Sequence, residues 1–129
     1  MTIALWCVMA AAILPLLCAG AAKWGAPGFD NHQPRAWLSA QSGFRARAHA
    51  AQQNSWEALV VFAAGVFAAH LSGGPQAIAD LLAVLFIALR IIYIALYLAD
   101  QASARSAVWL LGYLTSLALF CSVWINSLI

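Results

Sequence analysis

Ionisable and hydrogen-bonding side chains recur at helical spacing inside two apolar stretches of the sequence. In the first stretch, Arg47, Asn54 and Glu57 fall on one face of a helix over about three turns. An ionisable group deep in an apolar helix is costly, so Glu57 is a candidate functional residue. The structural alternative is an interhelical ion pair with Arg90, and we expect Glu57 to pair with Arg90 or Arg47, because an unpaired carboxylate there would protonate.

The second stretch presents a guanidinium and two phenols at steps of three and four, from Arg90, Tyr93 and Tyr97. Facing the first stretch, they would line a polar slot suited to a small anionic ligand. Arg105 and Ser106 begin the next apolar run, at the mouth of this slot, where helix-start amides also favour an anion. Two alternatives stay open: Tyr97 as an interfacial anchor, and Arg105 as a topology determinant among lipid phosphates.

The composition requires that lipid surround the helices that carry these residues. Of 129 residues, 65% are hydrophobic and 8% are charged, whereas soluble domains carry about 25% charged residues. The mean hydropathy is +0.88. A net charge of +2 is too small to indicate a nucleic-acid partner. The sequence therefore predicts a multi-pass integral membrane protein.

Four apolar runs are long enough to cross a bilayer, and Gly, Pro and charged residues separate them. They predict a single domain over residues 1–129, an all-α up-and-down bundle of four helices. The approximate spans are 2–22, 46–71, 76–98 and 107–128. The long polar loop after the first span is expected to contain a short interfacial helix near residues 36–38.

Basic residues in the loops predict the orientation in the membrane. The first loop region carries Lys23, Arg35, Arg45 and Arg47, the last loop carries Arg105, and the turn between them carries none. Loops rich in Lys and Arg stay in the cytoplasm, so both termini are expected on the non-cytoplasmic side. A cleaved signal peptide is the rival interpretation of the first run, but the basic segment that begins such signals is missing.

The cysteines and histidines form no recognisable metal, disulfide or nucleophile pattern, and we expect no metal site. The three cysteines lie apart within apolar runs, where they suit small packing positions. The three histidines are equally scattered. The chemistry of the chain is therefore expected in the polar slot.

The spacing of the slot residues resembles the MAPEG family, membrane-associated proteins in eicosanoid and glutathione metabolism. The resemblance rests on Arg47, Asn54-Ser-Trp-Glu57, Arg90-Ile-Ile-Tyr93-Ile-Ala-Leu-Tyr97 and Arg105-Ser106, and on the four-span layout. It covers roughly residues 30–109 and is similar to a bacterial branch of the family, which implies a bacterial cell (inner) membrane. It further implies a homotrimer that binds glutathione between neighbouring subunits. Membrane lipids and a lipophilic small-molecule substrate would be its other partners.

The resemblance also implies a role for each slot residue. Arg105 would stabilise the glutathione thiolate, with Ser106 beside it, as the catalytic pair. The remaining residues would bind glutathione: Arg47, Asn54, Glu57, Arg90, Tyr93 and Tyr97.

The sequence departs from the family pattern at two positions. Well-known enzymes of the family have an arginine four residues before the helix-two Asn, and some have another immediately before it, where this chain has Ala50 and Gln53. Each lost charge-assisted pair costs on the order of 1.5 to 3 kcal/mol.

The sequence leaves three functions open. The first is a glutathione-dependent transferase or peroxidase for lipophilic electrophiles. The second is a non-catalytic protein that binds a lipid, small amphiphile or partner protein, and the third is a small proton or ion carrier.

Overall fold

The computed structural model describes residues 1–125, and these residues form α-helices and loops with no β-strand. The helices are α1 (Ile3–Lys23), α2 (Pro34–Ser39), α3 (Gly43–Leu71), α4 (Gln76–Leu98) and α5 (Ala102–Ile125). All except α2 are long and apolar enough to cross a membrane, giving four candidate spans in the described chain. The expected all-α fold with four long apolar helices is confirmed, and the chain is an integral membrane protein.

Two helices begin earlier than the apolar runs suggest. α3 begins at Gly43, ahead of the expected span from 46, and α5 begins at Ala102, ahead of the expected span from 107, because charged and polar residues end an apolar run without ending a helix. Consequently Arg105 lies one turn inside α5. The expected end of the last span at 128 lies outside the described residues.

The long loop contains the short helix expected near residues 36–38. α2 begins with Pro34, whose fixed φ suits the first turn of a helix. Leu38 is buried with Ala22 at the end of α1 and Ala48 near the start of α3. α2 thus packs against the end of α1 and the beginning of α3.

The centre of the bundle is closed by small residues and stacked rings. Phe62 of α3 and Phe86 of α4 stack with centroids 3.9 Å apart, and neither is more than 2% exposed. Gly65 of α3 lies so close to α5 that an added Cβ would be 2.9 Å from the Ser116 carbonyl oxygen and 3.0 Å from Leu119 Cβ. Only glycine permits this approach between the helices.

A carboxylate of α4 holds the beginning of α1. Asp80 Oδ1 accepts hydrogen bonds from the Ala4 backbone N–H and from Gln76 Nε2, both at 2.8 Å. Thr2 caps the same helix, since its Oγ1 accepts from the Leu5 N–H at 3.3 Å. The negative charge of Asp80 also suits the positive end of the helix dipole of α1.

Both turns flanking α4 have the same backbone design with different residues. After α3, Gly73 has φ +69°, and the Gly74 N–H donates to the Ala69 carbonyl. After α4, Asp100 has φ +59°, and the Gln101 N–H donates to the Leu96 carbonyl. Both are Schellman-type helix ends, which normally require glycine at the left-handed position.

Candidate functional site

Arg90 joins α4 to α3 in the middle of the predicted slot. Its Nη1 donates to Asn54 Oδ1 at 2.9 Å, and its Nη2 donates to Ser55 Oγ at 3.0 Å. The guanidinium carbon lies 4.1 Å from the centroid of the Tyr93 ring. Arg90 is 4% exposed, so these bonds and this cation–π contact satisfy a charge that would otherwise be costly to bury.

The expected pairing of Glu57 with Arg90 or Arg47 is wrong for the isolated chain. Within the described residues 1–125, neither arginine forms an ion pair with Glu57. Asn54 and Ser55, one turn earlier on α3, occupy two donors of Arg90. Arg47 turns instead to the end of α4, where its Nε donates to the Leu98 carbonyl oxygen at 3.2 Å. Glu57 therefore lies on an exposed surface of the single chain, at the edge of a cavity.

A first cavity, which we name the mouth cavity, opens between α3, α4 and α5. It has a volume of about 260 Å³ and is lined by Asn54, Tyr93, Tyr97, Arg105, Ser106 and Trp109. The Arg105 guanidinium carbon lies 4.1 Å from the centroid of the Tyr97 ring. Tyr97 in turn packs edge-to-face on Tyr93, with centroids 5.7 Å apart.

The charge of Arg105 is available to a ligand in the mouth cavity. In residues 1–125, no group accepts a hydrogen bond from its guanidinium, and the Tyr97 ring is its contact. The ring holds the side chain in place without neutralising it. Ser106, the next residue in the sequence, also lines the mouth cavity. This arrangement presents a cation and a hydroxyl donor to an anionic atom.

A second cavity, which we name the deep cavity, adjoins the mouth cavity and reaches the buried Phe86 and Arg90 of α4. It has a volume of about 150 Å³ and shares Asn54 and Trp109 with the mouth cavity. Glu57 and Arg90 line its polar side. The other lining residues are Ala58, Val61, Phe86, Gly112, Tyr113 and Ser116.

The two cavities bring together seven of the eight residues that the sequence nominates. Asn54, Tyr93, Tyr97, Arg105 and Ser106 line the mouth cavity, and Asn54, Glu57 and Arg90 line the deep cavity. Arg47 lines neither cavity. Its assignment to the binding set stays a prediction.

Sequence analysis missed Ser55, Trp109, Gly112 and Tyr113. Trp109 and Tyr113 follow Arg105 at steps of four, a spacing that would have placed all three on one face of α5. Their rings stack with centroids 5.6 Å apart and form an aromatic wall of the deep cavity. Ser55, 3% exposed, lies one residue from the predicted polar face and has no sequence signal of its own.

Comparisons with known proteins bear on the whole bundle. In a comparison with models of protein families, residues 3–124 match the MAPEG family. No curated protein matches the chain. No solved structure matches it either.

Proposed function

The chain belongs to the MAPEG family, and from this premise we propose that it is a glutathione-dependent transferase or peroxidase acting on lipophilic electrophiles in the bilayer. The observation that carries the proposal is the Arg105 guanidinium in the mouth cavity, with Tyr97 as its contact and Ser106 beside it. A cation with free N–H donors beside a hydroxyl suits an anionic sulfur better than a neutral lipid tail.

In this mechanism Arg105 and Ser106 form the catalytic pair. The positive charge of Arg105 lowers the pKa of the glutathione thiol below its free value of roughly 8.5, so the bound form is a thiolate. The Ser106 hydroxyl donates a hydrogen bond to the sulfur. In the transferase reaction the thiolate forms a C–S bond with the electrophilic carbon, and the leaving group departs with the bonding electron pair. In the peroxidase reaction the thiolate would attack one oxygen of the hydroperoxide, the O–O bond would break, and the lipid would leave as an alcohol once it takes up a proton. A second glutathione would then condense with the resulting sulfenic acid, giving glutathione disulfide and water.

The remaining slot residues would bind and orient the tripeptide. Asn54 and Glu57 meet its polar ends, and Tyr93 and Tyr97 line its path through the mouth cavity. Arg90 positions the Asn54 amide through the bond at 2.9 Å. The family resemblance alone supports Arg47 in this set.

A homotrimer would complete the site. Glu57 lies on an exposed surface of a membrane helix, and a carboxylate facing lipid is costly. We propose that a neighbouring subunit covers it, with glutathione between subunits. We further propose a bacterial inner membrane with both termini outside, by the distribution of basic loop residues. A mass of three chains in mild detergent is expected, and a mass of one chain would contradict the trimer.

A second function, non-catalytic binding of a lipid, small amphiphile or partner protein, is favoured by Ala50 and Gln53. Neither residue carries the charge that family enzymes use to anchor a carboxylate. Arg90 does not replace them, because its bonds to Asn54 and Ser55 already engage two of its donors.

Calorimetric titration with glutathione tests the first proposal against the second. Wild type should bind glutathione, and Glu57→Gln should weaken binding about tenfold, since loss of a charge-assisted bond costs on the order of 1.5 kcal/mol. Asp30→Asn is the matched control, because Asp30 is an exposed loop carboxylate that accepts from the His32 N–H. Absence of glutathione binding by wild type, with binding of a fluorescent fatty acid, would support the second function.

A further inference from the structure

Gly112 lies in a buried part of α5, yet it faces empty space. A Cβ added to it would meet no heavy atom within 4 Å. Gly112 also lines the deep cavity. The missing side chain of Gly112 therefore leaves room in the cavity, whereas Gly65 on the facing helix permits close helix packing.

The deep cavity has the size of one small apolar group. Its volume is about 150 Å³, and an apolar cavity of about that volume in another protein binds benzene. The part beyond Arg90 is formed by Val61, Phe86 and Gly112. Ser116, the polar residue on this side, already donates its hydroxyl hydrogen to the Gly112 carbonyl oxygen at 3.2 Å.

The electrostatics of the deep cavity disfavour a carboxylate of glutathione. Glu57 would repel it, and two N–H groups of Arg90 are engaged by Asn54 and Ser55. An uncharged hydrocarbon group would not be repelled by Glu57 and needs no hydrogen bond from Arg90. Because α5 rises about 1.5 Å per residue, Gly112 lies about 10 Å beyond Arg105 along the helix. A molecule reacting near Arg105 could thus extend past Trp109 into the deep cavity.

We infer that the deep cavity receives the apolar body of the electrophile, and that the space left by Gly112 admits a single ring or a short chain but no larger body. The inference rests on the proposed function and specifies its substrate class. With a benzylic chloride, the thiolate in the mouth cavity attacks the benzylic carbon. A C–S bond forms, the C–Cl bond breaks, and chloride leaves with the bonding pair. The thiol proton has already gone to water.

The test compares benzyl chloride with 4-phenylbenzyl chloride, two electrophiles with the same leaving group and one or two rings. For wild type, kcat/KM with glutathione should be at least tenfold higher for the single ring. Gly112→Leu fills the cavity and should lower kcat/KM for benzyl chloride at least tenfold, which brings the ratio near one. Gly112→Ala should give an intermediate value.

Gly20→Leu is the matched control, because Gly20 is exposed on α1 and its added Cβ also meets no heavy atom within 4 Å. It should leave both rates unchanged. Thiolate absorbance separates the two levels of failure. If Gly112→Leu forms the thiolate and keeps the wild-type ratio, the inference is overturned while the proposed function stands. If wild type forms no thiolate, the inference and the proposed function are both overturned. If Gly112→Leu does not fold, an unchanged benzyl chloride rate in Gly112→Ala and Gly112→Val overturns the inference.

Discussion

The two halves of the bundle hold their helices together in different ways. The closed half, around Gly65 and the Asp80 cap of α1, is filled by small residues and stacked rings. The open half, around Arg90 and Arg105, is joined by polar bonds and cation–π contacts and contains the mouth cavity. One half thus supplies rigidity, and the other keeps space for a ligand at some cost in packing.

The glycines of the two halves show the same contrast at single positions. Gly65 in the closed half has the α5 backbone 2.9 Å from its missing Cβ, whereas Gly112 has nothing within 4 Å. A glycine in a membrane helix therefore has two structural roles. One brings two helices together, and the other enlarges a cavity. Substitutions at these positions should differ in what they change.

The largest effect is expected from Gly65→Val. The added side chain would collide with the α5 backbone at Ser116 and with Leu119, which cannot move away without separating the helices. Overpacking typically costs about 1 to 3 kcal/mol, and we expect Gly65→Ala in this range and Gly65→Val above it. Thermal unfolding in detergent, followed by circular dichroism, measures the change. Gly112→Ala is the control, with unchanged or slightly higher stability. Equal melting temperatures for Gly65→Ala and wild type would remove the distinction between the halves.

A smaller loss of stability is expected from Asp80→Ala. The substitution removes the acceptor for the Ala4 N–H and for Gln76 Nε2, and the charge-assisted bond should contribute about 1.5 to 3 kcal/mol. Amides at the start of α1 should then exchange hydrogen faster. Asp30→Ala, in the exposed loop, should change stability by less than about 1 kcal/mol. Unchanged exchange at the start of α1 would show that Asp80 does not hold this helix.

The smallest effect concerns the turn of the open half. Asp100 has φ +59°, a conformation that glycine adopts without strain, so Asp100→Gly should stabilise the chain by up to about 1 kcal/mol. The corresponding position in the closed half is Gly73, with φ +69°, and Gly73→Ala should destabilise the chain by about 1 to 2 kcal/mol. Chemical denaturation of both variants measures the difference. A loss of stability in Asp100→Gly would mean that the Asp100 side chain stabilises the turn.

The helices were predictable from sequence because lipid selects long apolar runs, and spacing of three and four places Arg90, Tyr93 and Tyr97 on one face. The partners of these residues were less predictable. Helical spacing fixes which face a residue occupies but not the height at which one helix meets another. In the structure Arg90 donates hydrogen bonds to Asn54 and Ser55, whereas the sequence predicted Glu57 as its partner.

The cavities were not predictable for a related reason. Gly112 has no sequence feature that distinguishes it from a packing glycine such as Gly65. The distinction depends on what an added Cβ would meet, which is the Ser116 carbonyl oxygen at 2.9 Å for Gly65 and no heavy atom within 4 Å for Gly112. Only the packed structure reveals which glycine leaves space.

Thiolate absorbance on adding glutathione to the detergent-solubilised protein tests most directly whether the open half activates a thiol. Wild type should show the thiolate below pH 8, because Arg105 lowers the pKa of the bound thiol from roughly 8.5. Arg105→Lys should retain part of the signal, and Arg105→Ala should show it only as the pH rises through the free-thiol value. S-methylglutathione, which has no thiol, is the blank. No signal in wild type, or an equal signal in wild type and Arg105→Ala, would contradict the account.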